Sequence, residues 1–431
     1  MRDLAAPPPP RAPDLPLPAP RGAMCTDCGL SRMALAPRCG TACQFTVPDF
    51  PAREAAAHGP AAPEDDAWFG PRLAIHRARI RAPRPGAQWT GITTSIAATL
   101  LEMGEVTAVL TLAPHEDDPF RPVPVIVTEP ADMARVRGMR MGYAPLLALL
   151  EPAMAQGHRR IAVVGIPCQV HALRAIEAEL GLERLLVIGT PCSDNTTTEN
   201  FHAFLARLTE TPERVTYLEF RADYRVEMRL DDGTVRLIPF LRLPLADLPD
   251  DFVPLTCRTC TDYANRLADV VVGYMGGDGD QWVIVRNERG RAMLDALGDA
   301  VALSAPTTRG RRAGAVRGFA ANVARAAGGL PLRRMPGWLR PVVAWLQPRI
   351  GPRGTEFARA RLEMKAVEAI LHLRRAAPNR LRHMVPAHVW ALAAPYGITP
   401  GPGEAPSAPA PAPGATSPSP PSRGSTGRPP R

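Results

Sequence analysis

The chain has 431 residues, 45% of them hydrophobic, and a formal net charge of +9. That length exceeds one ordinary core, so two domains with tails are expected, and no apolar run approaches the about 20 residues that a membrane-spanning helix needs. The charge is local: ten arginines and no Asp or Glu lie between Arg309 and Arg353, and no nucleic-acid motif or aromatic interleaving accompanies them, which argues against a nucleic-acid partner.

Residues 1–22 are rich in Pro and Ala, without the apolar core of a secretory signal, and read as a disordered tail. A cytosolic location follows, and there eight cysteines are expected to bind metal or carry redox chemistry rather than form structural disulfides. Lys365 is the only lysine among 51 Lys plus Arg. With the abundance of Ala and Pro, that bias points to a GC-rich, bacterial genome.

Residues 23–60 form a small cysteine-bearing module with the spacing Cys25-x2-Cys28-x10-Cys39-x3-Cys43. Four thiolates within so short a span are a metal signal. A structural zinc site and a 4Fe–4S cluster both satisfy it, and spacing leaves the two open.

Residues 61–155 read as a first α/β unit. Thr90-Gly91-Ile-Thr93-Thr94-Ser95 opens a helix with Ile96, Leu100 and Met103 on one face and Gly104 at its end. Its hydroxyls and backbone N–H groups can hold a phosphate or act as plain N-caps. Strands are expected at 106–112 and 123–128, and a helix near 145–155.

Residues 156–308 form a second, cysteine-rich α/β unit. Ile161 to Cys168 and Leu185 to Cys192 are each an aliphatic strand running into Pro-Cys and then a helix. Val170, Leu173, Ile176 and Leu180 mark the first helix; Phe201, Phe204, Leu205 and Leu208 mark the second, behind a capping box at Thr196 and Glu199. In a parallel sheet both turns fall at the carboxyl ends of strands, where ligands bind. Arg214 to Phe240 alternates around Asp231-Asp-Gly233 as a hairpin. Cys257-x2-Cys260 completes a second quartet with Cys168 and Cys192. Buried, chemically idle thiols are the bland alternative for the latter two, but ligation mixed from three separate segments suits a cluster beside a cofactor better than a zinc ribbon.

Asp262-Tyr263-Ala-Asn265 then leads into an apolar strand (266–276) ending in Gly273-Tyr274-Met275-Gly276, where glycines would let backbone approach a ligand. Another strand is expected at 282–286, and Arg286-Asn287 would clamp a pyrophosphate or form a surface turn. Residues 309–397 are a basic helical region, with Phe357, Met364, Val367 and Leu371 on one helix stripe. Its arginines are a solvated face, or a dock for an acidic partner or an anionic membrane surface. Residues 398–431 read as a second disordered tail.

Gln88-Trp-Thr-Gly91, Cys168-Gln-Val-x-Ala-Leu-Arg174, Cys192-x-Asp-Asn195, the block Cys257 to Gly276 and Val285-Arg-Asn-Glu-Arg-Gly290 resemble the beta-subunit family of deazaflavin-coenzyme hydrogenases and dehydrogenases. Within that family the likeness is to the ferredoxin-dependent 3,8-divinyl chlorophyllide 8-vinyl reductases and 7-hydroxymethyl chlorophyll a reductase. The chain departs from the pattern at 138–147 and in the helix near 355–375. The resemblance implies an α/β flavoprotein core with a parallel or mixed sheet, a small N-terminal Fe–S module, a C-terminal helical region, FAD, and two 4Fe–4S clusters on the two quartets. It implies electrons from reduced ferredoxin and a divinyl chlorophyllide, or related tetrapyrrole, as acceptor in (bacterio)chlorophyll synthesis. Saturating a vinyl group takes two electrons and two protons, so clusters would relay single electrons and flavin would pair them. Asp194, Asp262 and Tyr263 stand as proton donors beside cluster cysteines, with Asn195 and Asn265 orienting flavin or substrate. The rival readings are another acceptor on the same scaffold, or a non-enzymatic electron-transfer or zinc-stabilised subunit.

Overall fold

The structure, a computed structural model, describes residues 20–34, 39–59, 63–83, 87, 89–138, 140–221, 223–274, 280–326 and 336–406. The N-terminal module carries α1 (Cys39–Ala42) and α2 (Phe50–His58). Then follow β1 (Ala74–Ile80), α3 (Ile92–Glu102), β2 (Ala108–Pro114), β3 (Pro122–Val127), α4 (Leu150–Ala155), β4 (Arg160–Gly165), α5 (Pro167–Ile176), β5 (Arg184–Gly189) and α6 (Thr198–Leu208). β6 (Val215–Phe220), β7 (Arg225–Leu230) and β8 (Val235–Pro239) form a separate three-stranded sheet, one strand more than the expected hairpin. α7 (Leu255–Arg258), β9 (Val270–Tyr274), β10 (Gln281–Val285), α8 (Glu288–Asp295) and β11 (Val301–Ser304) lead to the helices α9 (Ala313–Ala326), α10 (Leu339–Ile350) and α11 (Thr355–Ala376).

Strands from residues 61–155 and from 156–308 join one eight-stranded mixed sheet in the order β11-β1-β10-β9-β5-β4-β2-β3. Its centre is parallel, because β2, β4, β5 and β9 pair in one direction; antiparallel strands close both flanks. The central strands are aliphatic throughout, as burial on both faces requires. β1 escapes the sequence reading because its Arg77 and Arg79 interrupt the apolar run; they reach out to Asp280.

Each face of the sheet has its own core. α3 and α8 cover one, with Ile92, Ile96, Leu100, Met293 and Leu294 buried against Ile188, Val270 and Val272. Met103, expected on that buried face, lies beyond the last turn of α3 and is exposed. α4, α5, the N-terminal module and α11 cover the other face. α11 is buried on nearly every side, so Met364 and Leu371 are only half-buried while Leu362, Val367 and Ile370 form its core. The first residues of the expected C-terminal tail pack on this helix: Ile398 is buried and Glu404 pairs with Arg374 at 2.6 Å. Among the described residues no helix is long and apolar enough to cross a membrane.

Candidate functional site

β4 and β5 pair in parallel register from Arg160↔Arg184 to Gly165↔Gly189. Their Pro-Cys turns therefore leave the sheet side by side at its carboxyl edge. Pro167 starts α5 where its missing N–H costs nothing, and Gln169 reaches back to the Ile166 N–H at 3.3 Å. The Cys192 N–H donates to the Tyr263 carbonyl at 3.1 Å, which ties the second turn to the segment after α7. Cys168, Cys192, Cys257 and Cys260 thus line one pocket, together with Asp194 and Asn195. Among the described residues no group of three or more His, Cys, Asp and Glu side chains is placed to hold a single metal ion.

The N-terminal module closes that pocket. Thr26 Oγ1 lies 3.8 Å from Cys168 Sγ and Gln44 Nε2 lies 3.4 Å from Cys260 Sγ. The Cys28 carbonyl accepts the Leu147 N–H at 2.9 Å. Gly29 sits in the left-handed region (φ 101°), where a Cβ would fall 2.4 Å from Ala148 N. His171 of α5 holds the module's other side, its ring nitrogens 3.0 and 2.9 Å from the carbonyls of Ala42 and Pro48.

Both quartets are electrostatic units. Burial pushes the Cys28 thiol up to about 12, and the nearby Cys43, Cys39 and Cys25 push the same way. Cys43 is raised by burial and then by Cys39 and Cys25. Cys168 and Cys192 are raised well above the ordinary value, again by burial and then by other cysteines of their own quartet. Burial takes Cys257 to about 11 and Cys260 to about 12. Four thiolates cannot share such a place without positive charge among them, and this donor set, all sulfur and partly dry, fits an iron–sulfur cluster. Cys28 also acts on Cys168, so the two quartets are neighbours.

A residue missed in the sequence, Lys365 of α11, lies under the pocket. Its ammonium donates to Asp194 Oδ1 at 2.7 Å, to Glu368 Oε2 at 3.0 Å and to the Cys257 carbonyl. Burial works to discharge it, but Asp194 and Glu368 outweigh burial and hold its pKa well above the usual lysine value. Burial, followed by the Asp194 charge, raises the Glu368 carboxyl to about 7. The signal available was that the chain's single lysine stands in a helix that otherwise uses arginine. Tyr143 was missed too: it lines the pocket with its hydroxyl 3.2 Å from Thr256 Oγ1 and 4.0 Å from Cys257 Sγ, and burial raises its pKa so that it stays protonated.

The other expected site residues divide. Of Asp194, Asp262 and Tyr263, only Asp194 lines the pocket. Asp262 is buried and accepts the Arg266 N–H at 3.0 Å; Tyr263 is buried in the core. Asn195 faces the pocket while clamping the Gly142 N–H and carbonyl at 3.1 and 2.8 Å. Asn265 ties the Gly165 and Thr190 carbonyls together at 2.8 and 3.2 Å, an internal brace for the two Pro-Cys turns. The helix behind Cys192 is capped by Thr197, which accepts the Asn200 N–H, and not by Thr196, whose hydroxyl donates to the Phe252 carbonyl.

At the rim, Thr90 Oγ1 donates to Gln281 Oε1 at 2.9 Å. This places Gly91 (φ 79°), Thr93, Thr94 and Ser95, the first turn of α3, next to the end of β9. Tyr274 ends that strand; Met275 and Gly276 lie outside the described residues. Gly273 is a packing glycine, because a Cβ there would fall 2.4 Å from the Trp282 ring. Arg286 and Asn287 are not brought to the rim. They follow the far end of β10, where Arg286 donates to the carbonyls of Asn265, Phe69, Pro71 and Ala264, and Asn287 caps α8 and donates to Asp269. Both side chains are buried and bonded inside the protein, away from the rim.

Residues 75–151 match the N-terminal part, and residues 158–308 the C-terminal part, of the coenzyme F420 hydrogenase/dehydrogenase beta subunit. The chain is 35% identical to 7-hydroxymethyl chlorophyll a reductase of Oryza sativa over 392 residues, covering 86% of this chain and 82% of the rice protein. It is 30% identical over 222 residues to one of the subunits of the F(420)H(2) dehydrogenase of Methanosarcina mazei, covering 50% of this chain and 60% of that one. In fold it is similar to a chain of the F420-reducing NiFe hydrogenase complex from Methanosarcina barkeri, with a TM-score of 0.51 at 22% identity, covering 56% of this chain and 85% of the other.

Proposed function

Because the chain belongs to the coenzyme F420 hydrogenase/dehydrogenase beta-subunit family, an oxidoreductase family, we propose that it is an iron–sulfur flavoprotein reducing the 8-vinyl group of a 3,8-divinyl chlorophyllide with electrons from ferredoxin. What supports this reading is that Cys168, Cys192, Cys257 and Cys260 line one pocket with Asp194, whose ion-pair partner Lys365 lies beneath it, and that Cys28 of the N-terminal set is near enough to act on Cys168. Cys25, Cys28, Cys39 and Cys43 would hold one 4Fe–4S cluster, and Cys168, Cys192, Cys257 and Cys260 the other. The first turn of α3, with Thr93, Thr94 and Ser95, would take the phosphates of FAD. When bound, the clusters carry single electrons and the flavin pairs them.

The chain's own residues supply the rest. Thr26 and Gln44 close the pocket against water and bring the module's sulfurs up to the second quartet. Asp194, about a third exposed while its partner Lys365 is buried, faces the pocket and would relay a proton from solvent to the reduced carbon, with Lys365 holding it in place. Tyr143 keeps its own proton and orders the Cys257 side. The rice relative favours a second reading on the same site, reduction of a 7-hydroxymethyl group. An anaerobic assay with reduced ferredoxin and each pigment in turn, following the product spectrum, decides between them. Conversion of divinyl chlorophyllide to its 8-ethyl product is the expected result, and turnover of neither pigment removes the proposal.

A further inference from the structure

α10 is amphipathic in an unusual sense: its apolar stripe faces out. Trp338, Pro341, Val342 and Trp345 recur at helical spacing on one face, with Ile350 at the end. Trp338 is 76% exposed, Val342 53%, Trp345 61% and Ile350 61%. These are half of the eight large hydrophobic residues that stand exposed among the described residues, and all four fall between positions 338 and 350. The opposite side needs little cover: Ala344 and Val343 pack on Phe240, Leu241 and Leu245. A monomer does not normally leave such a patch in water.

The charge beside it is of one sign. Arg349 lies over the Trp345 ring, 4.1 Å from its centre, and donates to the Trp345 carbonyl. Arg309 pairs with Arg353 in a short ladder, and Gly310 closes on Gly351, so exposed Arg309 and Arg311 gather at the carboxyl end of α10 with Arg349. From Arg309 to Arg353 there is no acidic residue. Arg312 is withdrawn, into Glu356 and Glu363.

We infer that α10 is a membrane-surface helix that lies in the interface of an anionic bilayer. Indoles sit at the level of lipid headgroups with their rings toward the acyl chains, and a short helix with Trp and aliphatic residues on one face and Arg beside them binds in the interface plane. Each arginine near an anionic surface adds to the attraction. An acidic protein would answer the arginines but not two exposed tryptophans and Val342 on a single narrow ridge. The helix runs through Gly351–Gly354 into α11, the element that carries Lys365, so lipid docking would fix the pocket's bearing on the membrane.

The test is co-sedimentation of the full-length protein with vesicles of phosphatidylcholine alone and of phosphatidylcholine mixed with phosphatidylglycerol. The expected result is binding to the mixed vesicles only, weakened by salt, and reduced about tenfold or more in the double variant W338S/W345S. Arg309→Gln, Arg311→Gln and Arg349→Gln combined should also release the protein, while turnover of a water-soluble acceptor and the cysteine-bound iron stay as in the wild type. The inference is overturned by failure to bind mixed vesicles, by equal binding to both vesicle types, or by mixed-vesicle binding that the tryptophan variant does not change. A salt-sensitive ferredoxin complex lost in these variants, with no lipid binding, assigns the face to a protein and overturns it too.

Discussion

Lys365 donates to three oxygens at once and is the only ammonium that could do so in this chain, since arginine's planar fork cannot gather Asp194, Glu368 and the Cys257 carbonyl around one point. Removing one partner of a buried pair strands the other, at about 3 kcal/mol or more. Lys365→Met should therefore lower stability in urea unfolding by that order, and Lys365→Arg should restore only part of it. Cys257→Ser should leave about four of the wild type's iron atoms and no turnover; wild-type iron and rate would remove Cys257 from the ligand set. His58 gives a pH dependence. Burial, then Arg286, lowers its pKa from 6.5 to about 4; the ring donates to the Arg266 carbonyl and accepts from Asn287. The unfolded chain takes up that proton first, so the contribution is full above about 6.5 and is lost as pH falls from there toward 4. The unfolding midpoint should drop across that window, and His58→Gln should flatten the drop.

At the scale of elements, the central strands are held by one buried carboxylate. Asp269 pairs with Arg174 of α5 at 2.8 Å, accepts the Val187 N–H of β5 at 2.7 Å, and receives Asn287 and Arg289 from the start of α8. Burial alone would raise its pKa, but Arg174 and Arg289 bring it below the usual carboxylate range. Asp269→Ala should cost about 3–5 kcal/mol by taking from buried Arg174 its buried partner, with only the half-buried Glu177 left to it, measured by denaturant unfolding. Gly273→Ala sets a methyl against Trp282 and should cost about 1–3 kcal/mol without changing flavin content. A loss of flavin at unchanged stability would return Gly273 to the cofactor site. α11 gathers Glu356, Glu363, Lys365, Glu368 and His372 on buried turns, which explains why its apolar stripe is so hard to read from spacing.

Over the whole molecule, the N-terminal module covers the pocket, and on the proposed reading it would carry its own cluster. It reaches the main body through His171, Gly29 and Gln44, and it completes the pocket that the sheet begins. Anaerobically prepared protein should carry about eight iron atoms and as many acid-labile sulfides. Cys43→Ser should halve that count and block electron uptake from ferredoxin while the second set keeps its spectrum. A colourless protein holding zinc would remove the redox reading altogether.

The strand–Pro–Cys repeat and the α/β class were legible in the sequence, because aliphatic runs and turn residues are local quantities. Where Arg286 and Asn287 point was not. Their place depends on β10 running antiparallel to β9, which no local pattern states. Lys365 was visible as an oddity of composition, yet its meaning required a helix 171 residues after Asp194 in the chain to fold beneath it. The outward stripe of α10 likewise reads as ordinary core periodicity until the packing shows which face is covered. The sequence by itself determined which atoms are available for chemistry. Tertiary structure decided which of them meet, because meeting depends on sheet order and helix docking, both set by burial over the whole chain.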